Sequence, residues 1–150
     1  MSSDAEVMRL TPEQEQLLAV VAGLAPATAG QVSTALGKLS RHLQTLSELL
    51  GAADEASTVA SDAYQKAYDK AFLAAGFEEI ERGERVTDTF RNTVARMATA
   101  DLRLTAELAK LEVRRLKVAM KTLDRRLFVG QSQAATVRAE IRTIGYGGAA

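Results

Sequence analysis

The residues with the most chemical capacity in this chain are cations. Lys110, Arg114, Lys117, Lys121 and Arg125 recur at spacings of four and three, with Arg115 and Arg126 beside them. On a helix with about 3.6 residues per turn, that spacing makes one stripe. Such a stripe can follow phosphates on duplex or single strand without reading bases, because its affinity comes from displaced counterions. No aromatic residue interleaves it to stack a base, and no pair of short helices with a tight turn precedes it, so sequence-specific readout is not expected. The competing reading is a solvated helix face, with Glu107, Glu112 and Asp124 interspersed, or a face paired with an acidic segment of the same chain.

The remaining reactive types assemble poorly. Glu78, Glu79, Glu81 and Glu84 offer carboxylates to a hard cation, but their spacing lacks the pattern of a calcium loop; solvated charge, or an intramolecular partner for the basic stripe, accounts for them more simply. His42 has Ser40, Thr45 and Ser47 nearby, yet no G-x-S-x-G elbow occurs to expose a nucleophile. Cysteine is absent and His42 is the only histidine, which leaves no set of nitrogen and sulfur ligands for zinc and no thiol chemistry. Gly145-Tyr146-Gly147-Gly148 follows no strand and resembles no phosphate loop. The expectation is a non-enzymatic protein with no cofactor, no metal and no small-molecule ligand.

The elements that would carry the stripe follow from composition and periodicity. A chain of 150 residues suits one domain, residues 1–150, which can hide roughly 68–70% of its unfolded surface. Aromatics are 5% of residues and Trp is absent, so Ala and Leu must supply the core, a mixture that favours helices. The net charge of zero conceals an asymmetry. Residues 1–102 hold 9 Lys/Arg against 15 Asp/Glu, and residues 103–150 hold 10 against 4. The amino terminus lacks the basic start and apolar run of a secretory signal, and no apolar stretch is long enough to span a membrane, so a cytoplasmic protein is expected.

Thr11-Pro12-Glu13-Gln14 reads as a helix start, with a hydroxyl cap, Pro at the first helical position and Gln closing a capping box. This helix should end near Ala22, before Gly23. A second helix, from about Thr28, carries the seam Val32, Leu36, Leu39, Leu43, Leu46 and Leu50 and is expected to stop at Gly51. Asp54 would cap a third, with an Ala56, Ala60, Ala63, Ala67 and Ala74 seam beside the Tyr64, Tyr68 and Phe72 row, ending at Gly76. Residues 77–86 read as a connector.

Thr87 or Asp88 would then cap one long helix, about 87–144. Its seam is Leu102, Ala106, Ala109, Val113, Leu116, Met120, Leu123, Leu127, Gly130, Ala134, Val137, Ile141 and Ile144, and it passes Gly130 without a break in register. About 57 residues at roughly 1.5 Å each would reach about 85 Å, against about 35 Å for each preceding helix. A second row, Phe90, Val94, Met97, Leu104, Leu108 and Leu111, implies that the first half of the long helix touches two neighbours. The fold expected is all-α: an elongated bundle of three to four helices around the C-terminal helix, with spectrin-like or coiled-coil-like packing and flexible tails at 1–9 and 145–150. The distal single seam, Leu123, Leu127, Ala134, Val137, Ile141 and Ile144, is then the candidate for self-association.

The stretch from Val86 to Gly145, with TADLRLTAELAKLEVRRLKV at 99–118 and VGQSQAATVRAEIR at 129–142, resembles small Ala-rich helical accessory proteins of actinobacterial tailed phages. The resemblance implies a phage-encoded helical bundle acting in the host bacterium's cytoplasm, in immunity or genome maintenance, and supplies no active residues. Residues and resemblance together lead to a protein that works by binding a protein partner or itself, as a homodimer. A nonspecific nucleic-acid-binding accessory using residues 110–126 is the alternative.

Overall fold

The computed structural model describes residues 9–83 and 87–146, and all regular structure among them is helical. Four helices follow in order: α1 (Pro12–Ala22), α2 (Ala29–Arg82), α3 (Asp88–Ala98) and α4 (Ala100–Tyr146). The expected all-α architecture, with a long C-terminal helix, is the one observed. Of the expected tails, residues 1–8 and 147–150 lie outside the described residues, whereas Gly145 and Tyr146 are the last residues of α4.

α1 begins as its sequence dictates. The Gln14 amide donates to Thr11 Oγ1 at 3.2 Å and the Thr11 amide donates to Gln14 Oε1 at 3.0 Å, so two otherwise orphaned donors are satisfied together. Gly23 ends it with φ +75°, a left-handed conformation that a Cβ disfavours. α2 opens with the same device: Thr28 and Gln31 exchange hydrogen bonds of 2.8 and 3.3 Å.

The largest departure from expectation is that α2 does not stop at Gly51 or Gly76. It runs as one helix of 54 residues and ends only before Gly83, which has φ +73°. The reason is register. After Leu46 and Leu50 the half-buried positions include Ala53, Ser57, Ala60, Tyr64, Ala67 and Ala71, again at alternating spacings of four and three. A glycine ends a helix when the chain turns there, and a seam that continues removes the reason to turn. Asp54 is therefore an exposed mid-helix residue whose carbonyl accepts from Thr58 Oγ1, not a cap. Ala56, Ala63 and Ala74 are exposed, so the expected alanine seam is displaced to the register that starts at Ala53. Residues 77–82 of the expected connector are the last turn and a half of α2.

The C-terminal helix is shorter than 87–144 at its start. Thr87 does cap, accepting from the Phe90 amide at 3.3 Å, but the helix it starts is α3. Thr99, at φ −115° and ψ 16°, interrupts the path. Its amide and its hydroxyl both donate to the Ala95 carbonyl, at 3.1 and 2.6 Å, and the Arg103 amide donates to the Thr99 carbonyl at 3.0 Å. A buried threonine hydroxyl competing for an i−4 carbonyl is a recognised cause of a local helix irregularity. Beyond it α4 continues through Gly130, as the unbroken register predicts.

The chain divides into two compact units, through both of which α2 and α4 pass. The first takes residues up to Leu49 together with those from Arg115 onward. It is a three-helix unit of α1, the start of α2 and the distal part of α4. Its core is Leu18, Val21, Ala35, Leu39 and Leu123, with Leu10, Leu17, Leu43 and Leu127 packed around it; Leu39 and Leu123 have no exposed surface. Burying each such leucine contributes roughly 1.5–3 kcal/mol. Gly130 lies against Ala22, where an added Cβ would make ordinary contact at 3.5 Å. Glu15 pairs with Arg126 at 2.8 Å across the surface.

The second unit is Leu50–Arg114. It is a helical hairpin with the remainder of α2 as one arm and α3 with the start of α4 as the other. Tyr64, Tyr68 and Phe72 form a row with ring centroids 6.0 and 6.3 Å apart. The Tyr68 hydroxyl donates to Asn92 Oδ1, and the Arg91 guanidinium lies 5.5 Å over the Phe72 ring. Gly76 makes room for that cation, since a Cβ there would fall 2.7 Å from Arg91 Cζ. Close approach, rather than termination, is the role of this glycine. The residues buried in the unit are small: Ala75, Ala95, Thr99 and Ala106, with Val113 the largest.

Gly51 separates the two accounts of α2. A Cβ added there meets nothing within 4 Å, and the backbone is helical. Gly51→Ala is therefore expected to stabilise the protein by about 1 kcal/mol in denaturant unfolding followed by circular dichroism. A glycine acting as a left-handed stop would give a loss of stability instead.

Candidate functional site

Helix α4 gathers most of the expected functional residues, but it sorts them differently. Along it the seam row turns inward from Ala106 to Ala134. Leu123 is in the core of the three-helix unit, Leu127 packs against that core, and Ala134 is buried. These three are thus internal and cannot serve as a free association seam. The physical reason is the length of α2: with no stop at Gly51, its first part and α1 are available to cover the distal half of α4. Only the end of the seam stays open, with Val137, Ile141 and Ile144 at 49%, 64% and 77% exposure.

The second row behaves in the opposite way. It was expected to meet a second neighbour, yet Phe90, Met97, Leu104, Leu108 and Leu111 are exposed, the three leucines at 56% to 60%. Leu104, Leu108 and Leu111 stand at −2, +2 and +5 from buried Ala106, which places them about 140° to 200° around the helix from it. Leu73, Phe77 and Ile80 stand at the same three offsets from buried Ala75 on α2 and are 58% to 66% exposed. Both arms of the hairpin therefore bury alanines inward and present large apolar side chains outward. A soluble helix ordinarily does the reverse.

The basic stripe is exposed at all five positions, Lys110, Arg114, Lys117, Lys121 and Arg125. Lys110 leans on Glu107 at 3.4 Å, an exposed pair of the kind that contributes little. Arg126, outside the stripe, is the cation held by Glu15. No ion pair joins the stripe to Glu78 or Glu81 among the described residues; both are exposed on α2, while the side chain of Glu79 and all of Glu84 lie outside the description.

The residues with catalytic potential do not converge. His42 is half-buried on α2 and has no hydrogen bond to a described hydroxyl, and Ser40 and Ser47 are exposed. Thr34, Thr45, Thr58, Thr93, Thr99, Thr105, Thr136 and Thr143 each donate to the carbonyl four residues earlier, so these hydroxyls are engaged by their own helices. No three His, Cys, Asp or Glu side chains come together among the described residues. An open groove of about 580 Å³ between α1 and the start of α2 has Lys38 as its single charged lining residue. Its polar members Thr28, Gln31 and Thr34 are occupied with helix backbone.

No helix of the described residues is long and apolar enough to cross a membrane. No protein family, no curated protein and no solved structure matches this chain.

The sorting of the seam is measurable. Leu123→Ala should cost about 2–5 kcal/mol of stability, the range for truncating a fully buried leucine. Ile144→Ala should change stability by less than about 0.5 kcal/mol. Chemical denaturation of the two variants side by side checks both; equal costs would mean that the distal end of the seam is covered after all.

Proposed function

We propose that this chain is a non-enzymatic helical protein that acts by associating with another helical surface, through the outward apolar rows of the Leu50–Arg114 hairpin, that of α4 first. The observation that carries the reading is the inverted pattern of that unit. Leu73, Phe77 and Ile80 on one arm and Leu104, Leu108 and Leu111 on the other face solvent, while the residues fully buried between the arms are mostly small. A two-helix hairpin has limited apolar surface to bury by itself, and a helix apolar on two faces belongs inside a larger bundle. Exposed apolar rows on helices that, among the described residues, are not long and apolar enough to cross a membrane support a protein interface as their use. The setting suggested by residues 99–118 and 129–142, an accessory protein encoded by a phage and working in a bacterial cytoplasm, belongs to this proposal.

The test uses the full chain and the variant Leu104→Ser/Leu108→Ser/Leu111→Ser, compared by sedimentation and by binding of an apolar fluorescent dye. The wild type should either sediment above the mass of one chain or, if monomeric, bind the dye. The variant should be monomeric with much weaker dye binding. Val137→Ser/Ile141→Ser/Ile144→Ser should leave the mass unchanged. A wild type that is monomeric at every concentration and binds no dye removes the reading.

A second reading rests on Lys117, Lys121 and Arg125, which are exposed and make no ion pair with described residues. As a cationic run on one helix face they suit nonspecific contact with phosphates. Fluorescence polarisation with labelled duplex and single strand across a salt series should show affinity falling steeply as salt rises, and Lys117→Glu/Lys121→Glu/Arg125→Glu should abolish it. Absence of binding at low salt removes this alternative.

A further inference from the structure

We infer that the partner of the outward apolar row of α4 in the hairpin is a second copy of this chain, with α4 pairing against α4 of that copy in antiparallel orientation about a twofold axis between residues 109 and 110. The inference rests on the association reading and adds to it the partner, the orientation and the register.

The argument starts from spacing. Leu104, Leu108 and Leu111 follow one another at four and three residues, which makes Leu104 and Leu111 d positions and Leu108 an a position of a heptad. This heptad lies opposite the seam buried within the unit, so occupying it would displace no intramolecular contact of Ala106 or Val113. The three leucines are too few for a long zipper, and the pairing must bring them together efficiently. An axis at 109.5 does so, since residue i then faces residue 219−i. Leu108 meets Leu111 of the second copy, and Leu111 meets its Leu108, giving a block of four leucines at the centre.

Charge selects the orientation. The two positions that flank the leucines on the g side are Glu107 and Arg114. In an antiparallel pair the g positions of the two helices lie on the same side, so Glu107 of each copy comes beside Arg114 of the other, and symmetry makes this contact twice. A parallel pair would instead set Glu107 against the e position of the other copy, which is Glu112, a second carboxylate. An antiparallel axis one layer earlier, at residue 106, would bring the two Glu107 side chains together. Of these three arrangements, only the axis at 109.5 joins leucine to leucine while facing opposite charges. The existing Lys110–Glu107 contact is exposed and long at 3.4 Å, and it leaves Glu107 able to accept a second cation.

The absence of cysteine from the chain makes the register directly readable, because any introduced thiol is unique. Three full-length single variants, Leu104→Cys, Leu108→Cys and Leu111→Cys, are oxidised alone and in mixtures, with circular dichroism confirming that each is folded. Leu108→Cys mixed with Leu111→Cys should form a disulfide-linked dimer. Leu104→Cys alone should not, because in the proposed pair its two copies are separated by eleven residues of helical rise, roughly 16 Å, beyond the reach of a disulfide. Separately, Glu107→Arg should weaken association by roughly tenfold, and Glu107→Arg/Arg114→Glu should restore it. A dimer in which Leu104→Cys links to itself overturns the antiparallel register while leaving the association reading intact. So does a dimer that none of these thiols can link. A wild type that is monomeric but binds apolar dye overturns the second copy as partner, leaving a different helical protein as the occupant.

Discussion

Two packed helices can each bury one face against the other, and whatever apolar residues remain must find a third surface. That constraint orders this protein. In the three-helix unit α1 supplies the third surface, and Leu18, Val21, Leu39 and Leu123 close into a core with no accessible area at its two central leucines. Among the described residues the hairpin unit has no third packing element, and its outer rows remain in solvent. The same long helices thus serve a closed packing in one unit and an open one in the other, and the difference is the presence of eleven residues of α1.

Side-chain size reinforces the contrast. Alanines between the arms of the hairpin allow close approach, which Gly76 extends to admit the guanidinium of Arg91. The space between the arms is taken by these small residues, Val113 and the half-buried Tyr64, Tyr68 and Phe72, and the leucines and Phe77 go outside. The ion pairs of Arg126 with Glu15 and of Lys110 with Glu107 are surface contacts of the kind that contribute little to stability.

Much of this was legible in the residues. The capping box of Thr11 and Gln14, the stop at Gly23 and the passage of α4 through Gly130 follow from local chemistry and from register. The same register rule, applied at Gly51, joins Leu50 to Ala53 and Ser57; it was obscured because small and hydroxylated residues at seam positions carry a weak periodic signal. Thr99 gives no warning of an interruption, since threonines elsewhere in these helices make the same i−4 hydrogen bond without breaking them. The candidate site was half legible. The two apolar rows of α4 are visible as spacing, but which one faces inward depends on the lengths of α1 and α2. With α2 read as two shorter helices, the distal row appeared uncovered and the proximal row covered; in the structure Leu123, Leu127 and Ala134 are covered while Val137, Ile141 and Ile144 are open, and Leu104, Leu108 and Leu111 are exposed. The residues left the basic stripe open between a solvated face and one paired with the acidic segment, and its five positions are exposed in the structure.

The pairing of Glu15 with Arg126, separated by 111 positions along the chain, bears on how the protein is made. Synthesis runs from the amino terminus, and the residues that complete the three-helix unit leave the ribosome after the hairpin. The hairpin, a continuous segment, is available to form first, while Leu18 and Leu39 wait for Leu123. The slow, high-contact-order step thus comes after the hairpin segment has been made, when Leu123 joins Leu18 and Leu39.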